Sequence, residues 1–442
     1  MVRNYYHLTS LAVSGCLLVL LAACGPFGSS GSGPTPTAST GGARATPTTG
    51  GAASTPTTAP MPATQTACPP AGSARAAIFA PLVLGPHQNI VYLFNQGTSS
   101  SSYIGEIKRY DTSTGHKAII VNSPKSRIID AQISTDGQWI LFTTLVSGQW
   151  ALQLVRMDGQ GLQTLHCSMN EIRSIQWSPD QKAVVFMASV SVSSATVDLL
   201  DLATGHLQVE LLEPTTGGSI FASVATWLDD THIYMTSYGT NTEGEPQSLY
   251  ALDIAKGANQ HVSDLIKVFG YSGYCLSFDS SVDNSKLFVS TCNAYLGDGP
   301  HFQQGPSTII AEPVLGGPQT TVYTNPTIAI TTVRVIYRTT MLLLIQNLGG
   351  DTSHNGLWKM NLDGTGLTRL TTAGAGQMSW LNVTSLTWSN VSRDGGMYAL
   401  KISSNNGTTQ ALLIGSLGGT SPSAFATVSG TGGVGIVGWT TM

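Results

Sequence analysis

The sequence contains a recurring unit of short strands, and residues 172–211 are its clearest copy. Four apolar or alternating runs of strand length are separated there by turn-forming residues: 172–177, 183–188, 197–202 and 207–211. Alternating and short apolar runs bounded by Ser, Pro, Asp and Gly are typical of antiparallel strands joined by tight turns. One copy of the unit therefore predicts a four-stranded antiparallel sheet.

The third strand of this unit and the turn after it recur seven times along the chain. The copies begin at intervals of about 44 to 60 residues and cover residues 106–116, 153–162, 197–206, 248–258, 308–318, 356–367 and 410–420. This period is in the range of propeller blades. The sixth unit is the most divergent, because its opening strand near Val333 lacks an acidic turn residue. We predict an all-β, seven-bladed β-propeller of four-stranded antiparallel blades.

The two ends of the repeat region complement each other. The first unit lacks an opening strand and starts at Asn89, whereas residues 435–441 at the C-terminus resemble the opening strand that ends in Trp177. A C-terminal strand that joins the first blade would close the ring and remove an open sheet edge. Four tryptophans share one position in the opening strands, where we expect packing between blades: Trp177, Trp227, Trp388 and Trp439.

Two opening strands carry a family resemblance. Residues 175–182 (Ile-Gln-Trp-Ser-Pro-Asp-Gln-Lys) and 133–138 (Ile-Ser-Thr-Asp-Gly-Gln), each followed by an apolar strand, resemble WD-repeat-like propeller repeats such as those of TolB and of prolyl oligopeptidases. The resemblance covers roughly residues 78–442. It implies the propeller fold. TolB differs in having six blades and a separate N-terminal α/β domain, whose place is taken here by a low-complexity segment.

The charge composition argues against a nucleic-acid partner. Only 10% of the residues are charged, the net charge is −4, and there is no basic cluster. Nucleic-acid binding normally requires such a cluster, so we predict no nucleic-acid partner.

The N-terminus predicts a lipoprotein signal. Arg3 precedes an apolar run over residues 8–23 that is short for a membrane span. The run ends in Leu21-Ala22-Ala23-Cys24, which resembles the lipobox of bacterial lipoproteins. The resemblance implies a signal peptide at 1–23 and a lipidated Cys24. An ordinary secretory signal or a short membrane anchor is the alternative. On the lipoprotein interpretation, we expect the protein to be extracytoplasmic and attached to the cell membrane by its N-terminal lipid.

Residues 24–67 are dominated by Gly, Ser, Pro, Thr and Ala. A segment of this composition buries too little apolar surface to offset the entropy of ordering, so we predict a disordered tether with a reach of roughly 35 Å. The propeller domain is predicted to follow at 68–442.

Four cysteines lie in the predicted propeller, where an extracytoplasmic location permits disulfides. Cys275 and Cys292 fall on consecutive predicted strands at 274–278 and 287–291, which favours a cross-strand disulfide. Cys68 and Cys167 are left over, and the sequence leaves open whether they pair.

The chain offers no recognisable catalytic constellation. There is no Gly-x-Ser-x-Gly nucleophile elbow, and the histidines show no metal-ligand spacing. Asp136, Asp180 and Asp230 occupy the same turn in successive units, so we interpret them as turn-forming residues and not as a catalytic pair. We therefore predict no catalytic residues, metal or cofactor, and a protein that is not an enzyme.

The long loops between second and third strands (residues 95–105, 237–247, 293–307 and 347–356) predict a binding face, because strand alternation places them on one side of the disc. They carry aromatic, acidic and histidine side chains of a kind that suits a protein or glycan surface. These candidates are Tyr103, Tyr238, Glu243, Glu245, Tyr295, Asp298, His301, Phe302, Asp351 and His354.

The sequence thus predicts a monomeric, membrane-anchored lipoprotein whose propeller is a non-enzymatic module that binds an envelope protein. A carbohydrate-binding or glycan-cleaving propeller with its site in the central channel is the alternative. An accessory protein that senses envelope stress is a third hypothesis. Carboxylates and histidines that converge on the channel would favour the enzyme.

Overall fold

The computed structural model describes the repeat region and a few residues before it. The described residues are 67–70, 76, 82–83, 85–97, 102–191, 194–212, 221–238, 246–272, 275–295, 302–348, 351–371, 388–404, 409–419, 421–430 and 432–442. The predicted signal peptide, the lipidation site Cys24 and almost all of the predicted tether lie outside them.

The described strands form seven antiparallel sheets, each of which is one blade of a β-propeller. We number the blades in chain order and give their four strands from first to fourth. Blade 1 consists of Gly433–Thr441, Gln88–Gln96, Ile104–Asp111 and Lys117–Pro124. Blade 2 consists of Arg127–Ile133, Trp139–Val146, Gln149–Arg156 and Gln163–Ser168. Blade 3 consists of Glu171–Trp177, Ala183–Ser191, Ser194–Asp201 and Leu207–Leu212.

The remaining blades follow the same order. Blade 4 consists of Phe221–Trp227, His232–Tyr238, Pro246–Asp253 and Ile266–Ser272. Blade 5 consists of Cys275–Ser280, Lys286–Tyr295, Phe302–Pro313 and Thr320–Asn325. Blade 6 consists of Ile330–Tyr337, Thr340–Ile345, Gly356–Asn361 and Thr368–Arg369. Blade 7 consists of Trp388–Val391, Met397–Ser404, Thr409–Ser416 and Ser423–Ser429.

A few short elements complete the description. The two-residue strand Gln260–His261 pairs in parallel with the fourth strand of blade 3. It lies between the 3-10 turns Ile254–Lys256 and Val262–Asp264.

The ring closes as the sequence predicts. The C-terminal strand Gly433–Thr441 pairs antiparallel with Gln88–Gln96, so that Trp439 lies opposite Ile90 and Gly438 opposite Val91. Blade 1 is therefore built from both ends of the described chain, and Gly433–Thr441 covers the inner edge of Gln88–Gln96.

Among the described residues the hydrophobic core forms eight clusters, of which seven each lie between a pair of neighbouring blades. The eighth is small and consists of Cys275, Cys292, Ala294 and Ala329. Second strands such as Trp139–Val146 and Thr340–Ile345 have buried apolar residues on both faces, because both faces of the sheet are covered by a neighbouring blade. Three of the four equivalent tryptophans lie in these clusters, as predicted: Trp177 between blades 2 and 3, Trp227 between blades 3 and 4, and Trp439 between blades 7 and 1. The side chain of Trp388 lies outside the described residues.

The turns between first and second strands explain the recurrent aspartates. In blade 2, the Ser134 hydroxyl donates to the Asp136 carboxylate (2.6 Å), which also accepts the Gln138 backbone N–H (3.0 Å), and the Ser134 oxygen accepts the Trp139 N–H (2.9 Å). The same bonds recur around Ser178 and Asp180, Ser281 and Asp283, and Ser392 and Asp394. These aspartates satisfy turn amides, as Asx turns do.

The prediction of Asp230 as the turn-forming carboxylate of blade 4 is wrong. In blade 4 the turn carboxylate is Asp229 and not Asp230, because Asp229 accepts the backbone N–H groups of Thr231 and His232.

Another difference from the sequence analysis concerns blade 5, where residues 293–307 are not simply a loop. The second and third strands continue as a long hairpin, with Asn293 opposite Gln304 and Tyr295 opposite Phe302. The extension is stabilised by blade 6, because the buried Gln303 side chain donates to the Gln346 carbonyl (2.7 Å). Contacts with a neighbouring blade thus override the polar, Gly-containing sequence that predicts a loop.

The described N-terminal residues contact the propeller at the end of the fourth strand of blade 2, at blade 3, and at the turn between the first and second strands of blade 2. Cys68 forms a disulfide with Cys167, with their Cα atoms 5.8 Å apart, which resolves the pairing that the sequence leaves open. The Ala76 N–H donates to the Leu202 carbonyl (2.8 Å), and Gln138 exchanges hydrogen bonds with the Leu82 backbone. We call the described residues among 67–87 the N-terminal strap.

Glycines with positive φ hold turns close to the preceding blade. A Cβ at Gly159, Gly316 or Gly364 would press on a backbone carbonyl of that blade's fourth strand, at Ile120, Val268 and Val322 respectively. Glycine is therefore required at these turns for two reasons: the left-handed φ and the close approach of the backbones.

We expect Gly364→Ala to lower the free energy of unfolding by about 2–4 kcal/mol, since the new methyl group is strained by a φ of +87° and also overlaps the Val322 carbonyl. The matched control is Gly419→Ala, which has a φ of +94° but no atom within 4 Å of the added Cβ. Chemical denaturation of both variants measures the effect. Equal losses in the two would show that φ strain alone matters.

Candidate binding surface on the upper face

Two faces of the disc can be distinguished by their connections. The turns between first and second strands lie on one face, which we call lower. The loops between second and third strands lie on the opposite, upper face, together with the blade-to-blade connections. Six of the ten predicted binding residues are described, and they belong to connections or strand ends of the upper face: Tyr103, Tyr238, Tyr295, Phe302, Asp351 and His354.

The described residues include part of the predicted set. Tyr103, Asp351 and His354 are described with their side chains. Tyr238, Tyr295 and Phe302 are strand ends whose side chains are not described, and Glu243, Glu245, Asp298 and His301 lie outside the described residues.

The loop between the second and third strands of blade 6, residues 346–355, is held by asparagine side chains. Asn355 accepts the Asn347 N–H (2.7 Å) and donates to the Asn347 carbonyl (2.9 Å). Asn347 accepts the Ala329 N–H (2.7 Å) and donates to the carbonyls of Thr327 and Asp351. Both asparagines are almost fully buried. The described parts of this loop, residues 346–348 and 351–355, are thus held by buried amides that satisfy backbone groups.

This ordered loop presents an exposed acidic and aromatic group. His354 Nδ1 lies 3.4 Å from the Asp351 carboxylate. The His354 side chain is 48% exposed and the Asp351 side chain is 63% exposed. The His354 ring stacks on Trp358, with ring centroids 6.2 Å apart. Hydrogen bonds from the Ser353 side chain and backbone lower the pKa of Asp351, which therefore stays ionised at neutral pH.

Sequence analysis did not identify two residues that complete this group. Trp358 Nε1 donates to the His354 carbonyl (2.8 Å), and Arg369 donates to the carbonyls of Ser353 (2.9 Å) and Asn355 (2.7 Å). The Arg369 guanidinium lies 5.8 Å from the centroid of the Trp358 ring. Both residues are on strands and not in the loop, so loop-based reasoning overlooked them. An aromatic residue followed eleven positions later by a cation is too weak a signal to have found them.

The blade 5 hairpin adjoins this loop. The Leu348 N–H donates to the Gln303 carbonyl (2.9 Å), and Gln303 donates back to Gln346 (2.7 Å). The predicted disulfide between Cys275 and Cys292 joins directly opposed residues at the base of the same hairpin. We call Asp351, His354, Trp358 and Arg369, together with the adjoining backbone of the blade 5 hairpin, the blade 5–6 surface.

Tyr103 lies in another sector and is not part of this surface. It is on the blade 1 loop, where the Arg127 guanidinium of blade 2 lies 5.4 Å from its ring centroid. The structure therefore brings Asp351 and His354 together and places Tyr103 elsewhere on the upper face.

The first strands surround the central channel and hydrogen-bond to one another through side chains. The Asp130 carboxylate of blade 2 accepts the Ile175 N–H of blade 3 (3.1 Å), and Gln132 accepts the Trp177 N–H (2.6 Å). In blade 5, Asp279 accepts the Val335 N–H of blade 6 (2.8 Å). Edge amides that lack a ladder partner are satisfied in this way. Within the described ranges, no group of three or more His, Cys, Asp or Glu could hold a metal ion.

Burial raises the pKa of both Asp130 and Asp279 to about 6, although the hydrogen bonds they accept oppose the shift. Asp279 is 4% exposed, and Asp130 is partly buried. The folded protein therefore binds protons at these carboxylates between about pH 4 and pH 6, where the unfolded chain has lost them.

The stability contributed by the protonated carboxyl groups is predicted to fall as the pH rises through this window. Asp279→Asn, which stays neutral and keeps an acceptor for Val335, should remove a decline of about 2–3 kcal/mol between about pH 4 and pH 7. Denaturant unfolding at several pH values measures it.

Asp283→Asn is the control with the opposite sign. Hydrogen bonds from Ser281 and Ser285 lower the Asp283 pKa to about 2, so its stabilisation is present above about pH 4 and is lost as the pH falls toward 2. An unchanged pH slope in Asp279→Asn would contradict the assignment of this carboxylate.

Comparison with known proteins is informative at the level of fold. The sequence matches no protein-family model and no curated protein sequence. Among solved structures, an oligogalacturonate lyase in complex with manganese is 13% identical, with a TM-score of 0.51, and the match covers 71% of this chain and 85% of that one. Prolyl oligopeptidase B from Galerina marginata is 10% identical, with a TM-score of 0.50 and coverage of 83% and 52%.

TolB from Acinetobacter baumannii is also similar, at 14% identity and a TM-score of 0.42, and the match covers 63% of this chain. The chain spans 62% of the length of TolB. The predicted β-propeller fold is confirmed by the sheet order together with the two structures above.

These similarities correct one prediction. We predicted from the lack of a catalytic motif that the protein is not an enzyme. This prediction is wrong, because the fold is also that of enzymes. Structures that share the fold include a lyase and an oligopeptidase. A propeller supports both binding and catalysis, and the missing motif does not distinguish them.

Two further observations concern the cellular compartment. The two disulfides indicate folding in an oxidising, extracytoplasmic environment. In the part of the chain that the structure describes, no helix is long and apolar enough to cross a bilayer. The chain is thus a seven-bladed β-propeller with two disulfides and a preordered surface on blades 5 and 6.

Proposed function

We propose that the protein is a monomeric lipoprotein, anchored to the cell membrane through Cys24, whose propeller binds a protein of the cell envelope through the blade 5–6 surface. The lipobox-like sequence before Cys24, the low-complexity residues 24–67 and the two disulfides support an extracytoplasmic, tethered domain.

The observation that carries the proposal is the order of the exposed loop on blade 6. Its amides are satisfied internally, so the loop loses little conformational entropy when a partner binds. Trp and Arg are the residue types that dominate protein interfaces, and here Trp358 and Arg369 support the exposed His354. Ordered aromatic and charged groups of this kind suit a protein partner.

The test has two readouts on the full chain expressed in a bacterial host. Mass spectrometry of the N-terminal peptide detects the diacylated Cys24. Photo-crosslinking from position 353 then identifies neighbours in the intact envelope. We expect one protein to be cross-linked, and its yield to fall about tenfold or more in His354→Ala and Asp351→Ala.

The matched control is Lys182→Ala, with its side chain 79% exposed on the lower face. It should leave the cross-link unchanged. A cross-link that is insensitive to the blade 6 variants, or lost equally in the control, would contradict the proposed surface.

A glycan-binding or glycan-cleaving site in the central channel is the second candidate. The observation in its favour is Asp130 on a first strand, whose pKa is raised to about 6 by burial, a value that suits a general acid or base near neutral pH. The similar fold of the oligogalacturonate lyase is compatible with it. Binding or cleavage of acidic oligosaccharides that is lost in Asp130→Asn would favour this candidate.

A further inference from the structure

The N-terminal strap joins the propeller at the upper edge of blade 2. Cys167, the disulfide partner of Cys68, is the last residue but one of the fourth strand Gln163–Ser168, at its upper end. The chain that leads back to Cys24 therefore reaches the domain at this edge, whatever path residues 24–66 take.

Exposed apolar side chains surround this point. Met169, two residues after Cys167, is 75% exposed, and Val146 at the end of the neighbouring hairpin is 43% exposed. Ile104 of blade 1 is 40% exposed, and Trp150 on the same hairpin as Val146 is half-buried, with part of its side chain packed against the core between blades 2 and 3. Apolar side chains at such exposure, grouped on one edge, are typical of an interaction site.

Strand register shows that these residues form one continuous edge. Arg127 of the first strand lies opposite Leu145, Leu145 lies opposite Trp150, and Trp150 lies opposite Ser168, which precedes Met169. Arg127 in turn lies over the Tyr103 ring, beside Ile104. We call Tyr103, Ile104, Lys125, Arg127, Val146, Trp150 and Met169 the blade 2 rim.

The charge on the rim is basic. Lys125 and Arg127 are both exposed, and the Lys125 N–H donates to the Tyr103 carbonyl. The nearby Glu106 is paired with Lys108 (2.7 Å), and Glu171 is half-buried at the start of blade 3. Lys and Arg beside Tyr, Trp and aliphatic side chains are the combination that binds the interface of an anionic bilayer.

We propose that the blade 2 rim docks onto the lipid bilayer to which the protein is anchored. The inference rests on the lipid anchor of the proposed function, and it adds an orientation to it. The tether holds the domain near the membrane by a point on the rim, so that the rim reaches lipid before any other part of the domain. Docking then replaces a freely rotating domain by one with a defined face toward the membrane.

The orientation has a consequence for the blade 5–6 surface. In a ring of seven blades, blades 5 and 6 lie across the disc from blade 2. A domain that rests on the blade 2 rim therefore presents the blade 5–6 surface away from the bilayer, where a second envelope protein has access to it. The two surfaces serve different contacts at the same time.

The test uses the full, lipidated chain in vesicles of phosphatidylcholine and phosphatidylglycerol with brominated acyl chains, which quench tryptophan on contact. We expect quenching in the wild type and loss of most of it in Trp150→Phe. It should also be lost in the double variant Val146→Glu/Met169→Glu, whose positions are 43% and 75% exposed. Trp358→Phe, on the opposite side of the disc, is the control and should retain the quenching.

The outcomes separate this inference from the anchor. An acylated Cys24 peptide without Trp150-dependent quenching would overturn the docking while leaving the anchor intact. An unmodified Cys24 would overturn both. If the wild type sediments as a dimer that Met169→Glu dissociates, without quenching by lipid, the rim binds a second copy of the chain and the inference is wrong.

Discussion

Trp439→Ala is expected to lower the free energy of unfolding by about 3–5 kcal/mol. The Trp439 side chain is fully buried between blades 7 and 1, beside Ile90 and Tyr92 of the strand with which its own strand pairs. Its removal leaves a cavity at the interface where the ring closes. The Trp439 carbonyl also accepts the Arg393 Nε–H (3.1 Å), so a shift of this strand would disturb the blade 7 turn as well.

The matched control is Trp227→Ala, because Trp227 has the equivalent position between blades 3 and 4 and is 4% exposed. We expect a similar loss of stability from each in urea. Limited proteolysis should distinguish them, since only Trp439→Ala weakens the contact between the two ends of the described chain and exposes those ends to cleavage. Equal proteolytic patterns in both variants would contradict a special role for ring closure.

Removal of the Cys68–Cys167 disulfide is the second large effect. The two residues are 99 positions apart. Chain-entropy arguments assign about 4–5 kcal/mol to a loop of this length, because the crosslink restricts the unfolded chain. The disulfide also fastens the N-terminal strap, which continues past Leu202 and Gln138 into blade 1. We expect Cys68→Ala/Cys167→Ala to unfold at a clearly lower urea concentration than the wild type.

The double variant Cys275→Ala/Cys292→Ala is the comparison, with a separation of 17 residues. Its entropic loss is about 3 kcal/mol by the same argument. Unfolding in urea, with and without reductant, measures both. If the Cys68–Cys167 disulfide contributes less than about 1 kcal/mol to the free energy of unfolding, the N-terminal strap detaches before the propeller unfolds, and the predicted large effect is wrong.

The architecture could be predicted because it is specified by local patterns. Period-2 alternation, the Ser-x-Asp turns and the spare strand near Trp439 each act within a few residues, and they recur often enough to count the blades. The disulfide between Cys275 and Cys292 was predictable for the same reason, since both cysteines belong to one hairpin.

The binding surface was predictable only in part. Asp351 and His354 were identified because they lie in a long loop, whereas Trp358 and Arg369 lie on strands and contact the loop through the folded sheet. The blade 5 hairpin was predicted as a loop, because its strand extension depends on hydrogen bonds from Gln303 to another blade. The raised pKa values of Asp130 and Asp279 likewise follow from burial between blades.

Local sequence was thus sufficient for strands, turns and blade number, because each depends on neighbours in the chain. The closing strand was recognisable by its likeness to the other opening strands, although its partner Gln88–Gln96 lies near the other end of the chain. The ordered blade 5–6 surface, the path of the N-terminal strap and the basic, apolar rim of blade 2 arise from contacts between residues that are far apart in sequence. Cys68 and Cys167 show the difference most clearly. Their pairing was open until the fold placed the strap against the outer strand of blade 2, because no local pattern relates residues separated by two blades of chain.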